Sequence, residues 1–236
     1  MDTEPVVIEA AHRTVPWTTR DTWLGIGIFG LWLVAYLGAA ALIRAVELDV
    51  NIGLFIAITE LLFVIPVWWF TIRKYGTGWD ALGLRAFRLS SVGLGCGLML
   101  LSFLFNAAYG LFLAQFGLRT QVDLIPVFAE LSYPLILFIA GAVIAPLVEE
   151  LFFRGFVFAG LRTRYGWQRA ALISALLFAL IHLQPTAFLP IFLLGLIFAV
   201  LYQYSGSLWP AILMHFATNT LGLGVAYLAA ELNLPL

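Results

Sequence analysis

Residues 133–164 read YPLILFIAGAVIAPLVEELFFRGFVFAGLRTR, an apolar run interrupted at its centre by Glu149, Glu150 and Arg154. About 20 apolar residues suffice for one membrane crossing, so the run is read as one long membrane helix with pattern breaks at Gly141 and Pro146. A charge at bilayer depth costs roughly 2.5–3.5 kcal/mol on insertion scales and marks a functional position by default. Glu150 and Arg154 are four apart, a spacing that lets the guanidinium neutralise the carboxylate. Glu149, about 100° further round the helix, is left as the free carboxylate.

Outward from this run the apolar pattern recurs along the whole chain. Spans are expected at 23–43, 52–72, 89–116, 169–183 (short), 188–204 and 208–229. Of the 236 residues 63% are hydrophobic and 11% charged, against about 45–50% and 25% in an ordinary soluble domain. The fold class is therefore all-α, a polytopic transmembrane bundle of about seven spans. Residues 1–21 read as a solvated cytoplasmic tail without the basic start of a cleaved signal peptide, and the first span as an uncleaved insertion signal. Residues 22–236 form one membrane domain, with a short amphipathic piece near 79–84 and a kink expected at Pro66.

Nine cations (Arg13, Arg20, Arg73, Lys74, Arg85, Arg88, Arg162, Arg164 and Arg169) fall on one side of this topology, and only Arg44 and Arg119 on the other. The positive-inside rule then places the N-terminus in the cytoplasm. A net charge of −1 leaves no basic face for phosphates and excludes a nucleic-acid partner. Cys96, the single cysteine, excludes an internal disulfide and reads as a small buried apolar residue.

Two histidines share the address of the acids. Glu149 lies 16 residues before Tyr165 and His182 lies 16 after Gly166, so a helical hairpin turning at that pair sets them at matching depth. His215 is seven residues into the last span, about 10 Å deep and shallower than the other two. Asn219, four residues on, shares its face. Each has a plainer reading: a structural ion pair for Glu150–Arg154, an interhelical hydrogen bond for His182, a polar clamp for His215–Asn219. Glu60, in the second span, reads as a packing acid, and Asn106 and Gln184 as structural polar residues.

The ordered set is Glu-Glu-x-x-x-Arg at Glu149, Glu150 and Arg154, Phe-x-x-x-His at Phe178 and His182, and His-x-x-x-Asn at His215 and Asn219. It resembles the CAAX-protease and bacteriocin-processing (Abi) family, over about residues 133–223. That resemblance implies an integral-membrane endopeptidase of a prokaryotic plasma membrane, cutting a peptide or protein near the cytoplasmic face. In one branch of the family the substrate is prenylated.

Amide hydrolysis needs an activated water, an oxyanion site and a proton for the leaving amine. Glu149, withdrawn from bulk water, suits the base, with His182 on the same water. His215 and Asn219 suit the oxyanion, with Arg154 holding Glu150 and Glu150 orienting the base. A zinc ion on Glu149, His182 and His215 would use the same atoms, so a glutamate-activated water and a zinc-bound one both stay open, with the metal-free scheme preferred and no cofactor committed. Ser174 and Cys96 lack the setting of a nucleophile. A proton-coupled transporter built on the same relay and a non-catalytic scaffold or immunity protein are the readings from other classes.

Overall fold

Long apolar stretches free of charge fold as helices because, in lipid, only a helix satisfies every backbone polar group within its own segment. The computed structural model describes residues 14–121 and 123–232, and they are helical from end to end apart from short connections. The elements are α1 (Thr19–Ala45), α2 (Ile52–Arg73), α3 (Leu89–Ala114), α4 (Pro134–Tyr165), α5 (Trp167–Ile181), α6 (Phe188–Ser205) and α7 (Trp209–Glu231). Short helices at Trp79–Leu82 and Ile125–Glu130 lie in the connections. All the long helices except α5 are long and apolar enough to cross a membrane. The fifteen residues of α5, expected as a short span, reach about 22 Å against a core of about 30 Å.

The bundle is built around α4. Every residue from Glu150 to Leu161 is buried, as expected of a helix that is apolar all round. The outer helices α1 and α3 turn Leu31, Val34, Leu101 and Leu111 outward, where lipid can solvate them. Cys96 lies on α3 and is exposed, which corrects the buried position expected for it.

Two more expectations change. The tail was expected to stay solvated as far as Asp21, but Trp17 is 2% exposed and its indole donates to the carbonyl of Phe156. Thr18 and Asp21 form a reciprocal capping box that starts α1 at Thr19. Asp21 is also paired with Lys74 at 2.6 Å and accepts from Tyr75, which pins the start of α1 to the end of α2. That hydrogen bond raises the Lys74 ammonium above its ordinary 10.5. The tie is thus complete at neutral pH, and on the alkaline side it is lost as the pH climbs through that raised value. Residues 1–13, with Arg13, lie outside the described residues.

Pro66 does interrupt α2, and the break appears at Phe63, whose N–H turns back to Glu60. In α4 the irregularity takes the form of two stretches of i→i+5 hydrogen bonding, Ala140–Ile144 and Leu151–Phe158. The first contains Gly141 and precedes Pro146; the second begins directly after Glu150. Turns of this kind are rare and gather at functional sites.

Candidate active site

Glu150 and Arg154 are both fully buried, and the guanidinium Nη1 donates to Glu150 Oε1 at 2.8 Å. Its Nη2 donates to the carbonyl of Gly195 on α6 at 3.0 Å. The guanidinium carbon also lies over the rings of Phe178, Phe198 and Phe153, at 4.4, 5.2 and 5.8 Å. A charge this far from water survives only where partners surround it, and here two acceptors and three aromatic faces do so, although Nε is left without a hydrogen bond. Gly195 is needed in that wall, because a Cβ there would sit 3.1 Å from the Ala175 side chain and 3.3 Å from Arg154.

His215 reaches the same carboxylate from α7. Its Nδ1 lies 3.0 Å from Glu150 Oε1, and its Nε2 lies 3.6 Å from Glu149 Oε2. Donation from Nδ1 to Glu150 fixes the ring and turns Nε2 towards Glu149. The ring is also stacked on Phe198, with centroids 4.8 Å apart. His215 is therefore not shallower than the acids, as counting from the start of its helix had placed it. The reason is at that start: Ser207 and Leu208 are buried under the 75–88 loop, where the Ser207 hydroxyl donates to the Arg85 carbonyl and the Leu208 N–H to that of Gly83. The helix begins below the surface, so a residue count from it underestimates depth.

His182 closes α5. Its Nδ1 sits 2.7 Å from the carbonyl of Phe178, the geometry of an N–H donating one turn back, which leaves Nε2 as the acceptor. Leu183 follows at φ 52°, a left-handed turn that a leucine adopts at a cost and that ends the helix at the histidine. Both imidazoles meet the Phe178 ring edge-on, at centroid distances of 4.9 Å for His182 and 5.6 Å for His215. The Phe-x-x-x-His spacing thus supplies both the carbonyl that orients His182 and the ring between the two histidines. No hydrogen bond joins His182 to Glu149.

Asn219 stands on α7 four residues beyond His215. One of its amide hydrogens goes to the carbonyl of Gly141 at 2.9 Å, tying α7 to the first irregular turn of α4. Glu149 keeps 13% of its side chain exposed, while its Oε2 has no hydrogen-bond partner. Among the described residues no three His, Cys, Asp or Glu side chains converge as metal ligands, and Glu149, His182 and His215 do not form a ligand set in this arrangement. Ser174 is spent on the carbonyl of Phe153 at 2.8 Å. The sequence reading missed Gly195, Phe198 and Gly141, which act through backbone carbonyls or a ring face and carry no polar signal in an apolar run.

Residues 131–221 match the family model of the type II CAAX prenyl endopeptidase, Rce1-like. A stretch of 103 residues, 41% of this chain, is 39% identical to an "Uncharacterized 24.3 kDa protein" of Escherichia coli, covering 48% of that protein. Another of 85 residues, 36% of this chain, is 29% identical to the "Putative membrane peptidase YdiL" of Bacillus subtilis (strain 168), covering 35% of it. The chain thus spans less than half the length of these relatives. No solved structure matches it. The resemblance carried by the three motifs is shown over the matched residues: Glu149, Glu150, Arg154, Phe178, His182, His215 and Asn219 all lie within the stretch similar to the CAAX prenyl endopeptidase.

Proposed function

We propose that this chain, a multi-pass helical membrane protein with a segment of the Rce1-like type, is an intramembrane endopeptidase whose nucleophile is a water activated by Glu149. The observation that carries the proposal is the meeting of α4 and α7 at one carboxylate. The buried Glu150 accepts from Arg154 of its own helix and from His215 of α7, and this leaves Glu149 Oε2 enclosed without a hydrogen bond, 3.6 Å from His215 Nε2.

In this scheme Glu149 takes a proton from water as the water oxygen bonds to the scissile carbonyl carbon. His182 Nε2 accepts the other water O–H, which turns a lone pair of the water oxygen towards that carbon. The second amide hydrogen of Asn219 donates to the oxyanion. When the tetrahedral intermediate collapses, the C–N bond breaks and the proton on Glu149 passes to the leaving amine, so the base returns to its starting form. Arg154, Glu150 and His215 touch no reacting atom; they hold the base in place. The substrate is a peptide or protein segment, prenylated or not, entering from the cytoplasmic side where the arginines gather, with the N-terminus of the chain on that side.

The test is cleavage of a peptide library by protein purified in detergent and treated with a strong chelator. The wild-type chain is expected to cleave at an unchanged rate after chelation, while Glu149→Gln and His182→Ala fold and do not cleave. Full activity in both variants would remove the assignment, and loss of cleavage on chelation would replace the free water with a metal-bound one.

A further inference from the structure

Glu60 lies outside the matched segment, yet the packing carries it to the same place. The buried residues of α2 before its break are Gly53 and Ala57, and they define the face turned to α4. Glu60, seven residues past the one and three past the other, shares that face. At the early end, Gly53 sits against the backbone of Ile136 and Leu137, so close that a Cβ would lie 2.5 Å from the Leu137 nitrogen. At the late end, Phe63 of α2 and Phe152 of α4 both pack on the ring of Phe29, with centroids 4.5 and 4.4 Å away. Early meets early and late meets late, so the two helices run parallel. Glu60 stands three residues before Phe63, and Glu149 three before Phe152. One turn above a shared ring, the two carboxyl groups therefore occupy one layer.

That layer holds bare polar atoms. Glu60 Oε2, Glu149 Oε2 and the indole Nε1 of Trp32 are each enclosed without a hydrogen-bond partner in the protein. The Trp32 ring meets Phe63 edge-on at 5.9 Å, which puts it beside Glu60. Two acceptors and one donor in a buried layer are the partners that an internal water takes.

We infer that Glu60 is a positioning residue of the reaction centre, holding through a hydrogen bond the water on which Glu149 acts, with Trp32 as the donor of the same layer. Its role rests on the endopeptidase reading; its coupling to Glu149 does not.

The experiment has two arms, both on the full chain in lipid nanodiscs. In the first, without substrate, the melting shifts of Glu60→Gln, Glu149→Gln and the double variant are compared. Coupled residues give a double shift different from the sum of the single ones; simple additivity overturns the inference whatever the enzyme does. In the second, Glu60→Ala is expected to lower kcat at least tenfold with KM within twofold, and Glu60→Gln, which still hydrogen-bonds water, to recover most of the loss. A wild-type rate in Glu60→Ala, or an equal loss in both variants that follows their loss of folded protein, also overturns it. A wild-type chain that cleaves nothing defeats the endopeptidase reading alone, and the first arm still decides the coupling.

Discussion

Arg154 shows how a full charge is kept in an apolar helix, and what depends on it. Removing one partner of a buried ion pair costs about 3–5 kcal/mol, whereas exchanging both for apolar groups is often neutral. Arg154→Met is therefore expected to unfold much of the protein, while Glu150→Leu/Arg154→Met recovers folded yield and thermal stability but not cleavage, because His215 loses its anchor. A double variant as unstable as the single one would show that the pair is not the unit. Glu149 behaves differently, since its side chain keeps 13% exposure and its enclosed Oε2 has no hydrogen bond to lose. Glu149→Gln should keep the melting temperature within a few degrees and lower cleavage by about 10²–10⁴-fold, the usual contribution of a general base. Asn219→Ala is expected to cost less stability than either, about 0.6 kcal/mol for an average interhelical hydrogen bond in a membrane. It should nevertheless lower kcat about 10²-fold or more if its free N–H serves the oxyanion.

At the scale of the element, the site depends on how closely the helices approach. Gly53→Val places a branched side chain where backbone already stands. Overpacking of this kind costs about 1–3 kcal/mol. The variant should melt lower and lose activity through displacement of Glu60, with Gly53→Ala intermediate; equal melting and activity in all three would contradict the packing of α2 on α4. These approaches also mark the limit of what was legible beforehand. The acids and histidines announced themselves as polar atoms in apolar runs, and the matching depth of Glu149 and His182 follows from counting. The depth of His215 did not, because the count takes the start of α7 as the surface. Nor did Gly195, Gly141 or Phe198, whose contributions are a carbonyl, a carbonyl and a ring face. Trp17 was hidden for the same reason: one tryptophan in a polar tail carries no periodicity to show that it docks.

For the molecule as a whole, composition alone settled the membrane bundle, and α4 emerged as its centre because it is apolar on every side. The proposed orientation, with the N-terminus in the cytoplasm, rests on the arginine asymmetry. Reagents that label introduced cysteines from outside intact cells should miss a site next to Arg169 and reach one next to Arg119; the reverse pattern would invert the topology. The central claim is that water, activated by Glu149, is itself the nucleophile. A single turnover in water enriched in oxygen-18 tests it most directly, with mass analysis of both the product and the protein. The account predicts label in the new carboxyl terminus of the product and none in the chain. Label found instead in the Glu149 side chain, with an unlabelled first product, would contradict it.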